Sequence, residues 1–165
     1  MKPPIVAAEE LLNEALRSTW IEEVRLSDSW SVRFSNGLWL TAYEIELSEE
    51  SSVTSALSSV PALLEGTDPG NVPKMTCLCA LMRETVARCS IDEGGSLHIA
   101  FARGGELRAE VDVPVVDWMW TVAPAPGNPY SSPSIAYCLA ARTVEVGTLA
   151  IVTGTRCVAL ILLAP

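Results

Sequence analysis

Two kinds of residue in this chain could do chemistry: a single histidine, His98, and two sets of closely spaced carboxylates. The sets are Glu44, Glu46, Glu49, Glu50 and Glu106, Glu110, Asp112, Asp117. Two acids that converge on a cleft can share general acid and base work. Acids lined along a strand serve instead as a docking edge for a basic partner, or as a guard against strand pairing. His98 alternates with Leu97, Ile99 and Phe101, so it belongs on the solvent side of a strand. No serine or cysteine nucleophile motif adjoins it, and no catalytic residue is assigned. Cys77 and Cys79 are separated by one residue rather than the two of a zinc knuckle, and no metal site is expected. Glu93-Gly94-Gly95 and Arg103-Gly104-Gly105 precede strands, which makes them turns and not phosphate cradles. No cofactor is expected.

The chain that must position these groups has 165 residues, enough for a single domain over 1–165 with a proper core. It is 49% hydrophobic with a mean hydropathy of +0.30, which excludes intrinsic disorder. The formal net charge is −9. Nucleic acid and acidic membrane surfaces are disfavoured as partners, and a basic protein is favoured. Five cysteines, Cys77, Cys79, Cys89, Cys138 and Cys157, form no regular framework, as expected in a reducing cytoplasm. The most apolar stretch, 149–164, is interrupted at Thr153 to Arg156, short of the roughly 18 residues a membrane span needs. Glu9 and Glu10 stand where a secretion signal would be apolar.

Periodicity predicts an α+β fold of antiparallel β-hairpins with two helices. Ala8, Leu11, Leu12, Ala15 and Leu16 recur at helical spacing, with Glu9 and Glu10 expected in the first turn and an end near Arg17. Residues 21–26 form a weaker strand. Trp30, Val32 and Phe34 alternate with polar residues up to Asn36-Gly37, a strong hairpin signal, and 38–47 reads as one return strand. A short helix fits 53–57, a connector 61–73, and a second main helix 74–84 with a stripe of Met75, Leu78, Met82 and Cys79. Strands follow at 86–91, 97–101, 107–113, 116–122, 135–141, 144–152 and 157–163, with a proline-rich loop at 123–133.

The halves match at an ungapped offset of 67 residues. Val32 falls on Ile99, Phe34 on Phe101, Gly37 on Gly104, Leu40 on Leu107 and Ala42 on Ala109; upstream, Ala8 falls on Met75, Leu11 on Leu78 and Ala15 on Met82. Either a helix-plus-hairpin unit is duplicated, over 5–47 and 72–114 with further strands in 115–165, or the halves share hairpin composition alone.

Trp118 and Trp120 share a strand face expected in the core. Trp39 and Tyr43 lie opposite Leu40 and are candidates for an exposed aromatic contact, as is Tyr130 in the proline-rich loop. The candidate protein-binding residues are therefore Trp39, Tyr43, Glu44, Glu46, Glu110, Asp112, Asp117 and Tyr130.

The run Leu97-His98-Ile99-Ala100-Phe101, followed by Gly104, Leu107 and Asp117-Trp118, resembles a pattern in small bacterial immunity proteins of polymorphic toxin systems. The resemblance covers about residues 84–122 and carries over no binding residue. It implies an acidic cytoplasmic protein that covers a toxin domain. The expected function is thus an immunity or inhibitor protein for a basic effector. The alternatives are an acidic secretion chaperone and a small-ligand protein or enzyme with His98 in a pocket. Homo-oligomerisation stays open.

Overall fold

The computed structural model describes residues 3–60, 68, 70–113, 116–140 and 142–147. The expected strand 157–163, the end of 144–152, most of the 61–73 connector and Cys157 lie outside them. The described elements are α1 (Pro4–Leu16), β1 (Ile21–Leu26), β2 (Trp30–Phe34), β3 (Trp39–Ala42), β4 (Ile45–Leu47), α2 (Glu50–Ser58) and α3 (Asn71–Leu81). They continue with β5 (Val86–Ile91), β6 (Leu97–Phe101), β7 (Glu106–Ala109), β8 (Trp118–Ala123), β9 (Ala136–Leu139) and β10 (Val144–Val146). The strands make two antiparallel sheets, ordered β1-β2-β3-β8-β9-β10 and β4-β7-β6-β5, so the fold is α+β as expected. No described helix is long and apolar enough to cross a membrane.

Two hairpin turns set the frame. Gly37 and Gly104 sit at φ +86° and +96° with open space where a side chain would go. Only the left-handed backbone demands glycine there. Each glycine N–H closes its turn, on Phe34 O at 2.8 Å and on Phe101 O at 3.1 Å.

The sequence 38–47, expected as one strand, breaks at Tyr43-Glu44. β3 stays with β2 in the six-stranded sheet, and β4 leaves to pair with β7, Ile45 opposite Ala109 and Leu47 opposite Leu107. The second half does the converse. β8 leaves β7 and pairs with β3, Trp39 opposite Ala123 and Ala42 opposite Trp120. The strand that follows each hairpin is therefore donated to the other sheet.

This exchange is one sign of a pseudo-twofold likeness between the halves, and there are others. β1 and β5 carry the same irregularity, with Ile21 opposite Phe34 and Val86 opposite Phe101 before the register shifts. After α1 and α3 the chain turns through Ser18 (φ 67°) and Arg83 (φ 68°). Ser18 N–H donates to Val86 O, and Arg83 N–H donates to Ile21 O, at 2.9 and 3.2 Å. Trp20 bridges Thr85 between them. The offset of 67 holds for β2, β3 and their turn but not upstream. The β5–β6 turn, 92–96, is two residues longer than the β1–β2 turn, 27–29, so the helices correspond at 65. Ala8 matches Pro73 and Leu12 matches Cys77, all four buried, instead of the pairs read from the ungapped match.

Other expectations shift for local reasons. α3 begins at Asn71 because Pro73 is tolerated in a first turn, where its missing N–H has no partner to lose. It ends at Leu81, so Cys77 and Leu78 face the core while Cys79 and Met82 are exposed. α2 runs a turn further than expected at its start, from Glu50. Glu9 and Glu10 lie beyond the first turn of α1, which starts at Pro4. β7 ends at Ala109 rather than near Val113.

The inner faces of both sheets and α1 contribute to one cluster of buried side chains, including Leu12, Leu16, Phe34, Leu40, Ile45, Ile99, Leu107 and Trp120. Trp120 is buried, and its indole N–H donates to Gly95 O at 2.8 Å. α1 closes this core by standing beside β5 and replacing a neighbouring strand. Asn13 Nδ2 donates to Cys89 O at 2.7 Å, Cys89 N–H donates to Asn13 Oδ1 at 2.8 Å, and Ile91 N–H donates to Glu9 Oε1 at 2.6 Å. Replacing Asn13 with Ala strands both backbone groups of buried Cys89. Urea denaturation of Asn13→Ala is expected to show a loss of about 2 kcal/mol; a loss within error would mean water replaces the amide.

Candidate functional site

The β6–β7 hairpin sets His98 directly opposite Arg108, and β7 sets Arg108 opposite Glu46 on β4. Ser90 on β5 completes the row. Leu97, Ile99, Leu107 and Ala109 turn inward, so these polar partners must turn outward. Around the row stand Asp92, from the β5–β6 turn, Glu106 at the start of β7, and Glu110 just past its end.

Both ring nitrogens of His98 are engaged by carboxylates. Nδ1 is 2.7 Å from Glu106 Oε1 and Nε2 is 3.3 Å from Asp92 Oδ2. The ring is about a quarter exposed (24%). Arg108 is the hub of the remaining charges. It lies 2.9 Å from Glu110 Oε1, 3.5 Å from Asp92 Oδ2 and 3.6 Å from Glu46 Oε2, and donates to Ser96 Oγ at 3.2 Å. The Glu110 contact is an ion pair whose angle makes no hydrogen bond. Burial would raise the Asp92 pKa, but the Ser96 N–H, at 2.9 Å, and His98 outweigh it and hold that carboxyl below its ordinary range. Burial and neighbouring Glu46 push Glu110 the other way, up.

A hollow of about 250 Å3 opens on this face, lined by Glu46, Leu47, Ser48, His98, Glu106 and Arg108. Its Glu46–Ser48 wall is shared with a wider groove of about 650 Å3 between β4 and α2, which adds Glu44, Glu50, Lys74 and the hydroxyls of Ser51, Thr54 and Ser55. Glu44 is tied to Lys74 Nζ, and Glu50 Oε2 accepts from Leu47 N–H at 3.4 Å. Together the two hollows present six carboxylates, counting Asp92 and Glu110 behind Arg108, to two fixed cations and His98. Among the described residues no cluster has the geometry to hold a metal ion.

The equivalent face of the six-stranded sheet has gone a different way. By the pseudo-symmetry, Ser90, His98, Arg108 and Glu46 correspond to Arg25, Ser31, Thr41 and Thr121. These face one another in a row that continues to Tyr137 and Glu145. Ser31, Thr41 and Thr121 are buried, and Gly127 N–H donates to Thr41 Oγ1 at 3.2 Å, which brings the proline-rich segment onto them. Tyr137 O–H donates to Glu145 Oε2 at 2.7 Å; that bond, with burial, pushes the phenol up to about 12. One face is closed over hydroxyls, and the other is open and charged.

The expected site residues divide accordingly. Glu46 and Glu110 meet at Arg108, and Glu44 lines the adjoining groove. Trp39 does not form an exposed contact: it is 6% exposed, with the Arg25 and Arg33 guanidinium carbons 4.6 and 5.8 Å from its ring centre. Tyr43 is half-buried against Trp118, ring centres 4.6 Å apart, and Trp118 is buried on the outer face rather than in the core cluster. Asp112 is exposed with Arg142 3.5 Å away, Asp117 is exposed, and Tyr130 is 63% exposed. None of these last three joins the charged face through any described contact. Arg108 was missed, although a hairpin centred on Gly104 already sets it across from His98.

A family model matches residues 12–125, about two thirds of the chain. The chain belongs to DUF6188, a family of unknown function. No curated protein and no solved structure matches it. The DUF6188 span contains every residue of the charged face and both donated strands. It stops just inside the proline-rich segment, so Tyr130, Tyr137 and Glu145 fall beyond it.

Two outcomes test this electrostatic account. Asp92, whose pKa is lowered on folding, contributes stability above its unfolded value near 3.8 that is lost as pH falls through the folded value. Asp92→Asn is expected to be less stable than the parent at pH 7, by no more than about 1 kcal/mol because water screens the pair. Chemical denaturation from pH 7 to pH 3 should show that gap closing. Thr121 Oγ1 is buried with no partner among the described residues; Thr121→Val removes an unmet polar atom and should leave the melting temperature unchanged or higher.

Proposed function

We propose that this chain is a cytoplasmic protein-binding module, of the immunity or inhibitor kind, that docks a basic effector on the four-stranded sheet. The observation that carries the reading is the continuous acidic groove from Glu44 and Glu50, past Glu46, to Glu106 and His98. Its dimensions suit lysine and arginine side chains of a partner, each able to exchange water for carboxylate. The engagement of both His98 nitrogens by carboxylates favours binding over nucleophile activation, since among the described residues neither nitrogen is hydrogen-bonded to a serine or cysteine. Lys74 holds Glu44 and Arg108 holds Glu110, while Glu46 and Glu106 keep the most open carboxylates along the groove. In this reading the groove imitates an anionic substrate and covers the effector's own site.

The test is affinity capture from the native host with the parent, with Glu46→Lys/Glu106→Lys, and with Glu14→Lys/Asp28→Lys as a charge-matched control away from the groove. A basic protein retained by parent and control, released by raised salt and weakened at least about tenfold by the groove variant is the expected result. Equal retention by all three proteins would overturn the reading.

A further inference from the structure

The pseudo-symmetry exposes a difference between two strands that occupy like positions. β5 and β1 are the outer strands of their sheets and correspond at 65 residues. The outward groups of β5 are met by side chains of α1: Cys89 by Asn13 and Ile91 by Glu9. The corresponding residues of β1 are Val24 and Leu26. The residues of α3 that correspond to Asn13 and Glu9 are Leu78, a buried apolar side chain, and Lys74, which is tied to Glu44. Among the described residues nothing takes the outward N–H or C=O of Val24 or Leu26. Beside the start of this strand lies a groove of about 630 Å3 lined by Trp20, Ile21, Glu22, Arg33, Met82 and Arg83. Trp20 and Met82, which line it, and Leu26, at the other end of the strand, are large apolar side chains left exposed.

We infer that β1 pairs antiparallel with β1 of a second copy of this chain, about a twofold axis at Val24. The register follows from charge. An isologous antiparallel pair must join outward-facing residues to outward-facing residues, which allows an axis at Glu23, at Val24, at Arg25 or at Leu26. An axis at Glu23 or at Arg25 sets two like charges directly opposite each other, which is repulsive. An axis at Leu26 sets Arg25 opposite Ser27 and engages fewer residues of the strand. The axis at Val24 sets Glu23 of each copy opposite Arg25 of the other, twice over. It also brings Leu26 of one copy to Glu22 of the other, at the mouth of the groove. Within one copy Glu23 already pairs with Arg25 at 2.6 Å and with Arg33 at 3.2 Å, so the Val24 axis joins two such pairs into one alternating network of charges instead of neutralising free ones. The six-stranded sheets of the two copies become one continuous sheet.

The experiment is analytical ultracentrifugation of the full chain over a range of concentrations, with hydrogen exchange at the Val24 and Leu26 amides. A concentration-dependent dimer is expected, with both amides slowing as it forms. Val24→Pro removes an outward N–H that no described group uses and should give a folded monomer. Where that variant does not fold, Glu23→Arg is expected to weaken the dimer at least tenfold, and Glu23→Arg combined with Arg25→Glu to recover most of the loss. A chain that is monomeric at all concentrations would overturn the inference. So would a dimer that survives both Val24→Pro and Glu23→Arg, or Val24 protection that does not change with concentration.

Discussion

The inner edges of two hairpins govern this structure. β3 and β7 each close a hairpin on one side and lie deep in the molecule on the other, where an unmatched N–H or C=O would cost about 1–3 kcal/mol. Each half has a following strand that could have met this need locally. Neither uses it at home. β4 crosses to β7 and β8 crosses to β3, and the reciprocal bonds of Ser18 to Val86 and Arg83 to Ile21 fix the two halves about the same pseudo-axis. The core, the placement of α1 and the two outer faces all follow from that crossing.

Once the crossing is in place, the outer faces are free to differ, because neither bears on sheet pairing. The row Ser31, Thr41, Thr121 is small and neutral and can be covered by a segment rich in proline, whose lack of N–H groups leaves few donors to satisfy. The row His98, Arg108, Glu46 is bulky and charged and cannot be covered without desolvating several ions. Different side chains at like positions make one face closed and the other open.

Much of this was legible in the sequence. The period of two around Gly37 and Gly104 found both hairpins, and helical spacing found the buried face of α1. The break inside 38–47 also left a trace: the positions that join the core change from even (Leu40, Ala42) to odd (Ile45, Leu47), which a single flat strand cannot do. What could not be read is what depends on distant partners. Trp39 looks exposed on its own strand and is covered only because β1 and β2 bring Arg25 and Arg33 over its ring. Glu46 meets Arg108 only through the crossing. The ungapped repeat misplaced the helices because two extra residues in one turn are invisible to a fixed offset.

The crossing also has a meaning in time. During synthesis β4 leaves the ribosome about 60 residues ahead of β7, and Asn13 waits for Cys89, 76 residues later. At roughly 5–20 residues per second this is a delay of several seconds or more. Through that interval the first half holds a β3 with one open edge and a stranded β4 and cannot complete itself. The crossing of strands between the sheets is complete only once β8 has emerged, and a truncation between the halves would leave β3 and β7 each with an open edge.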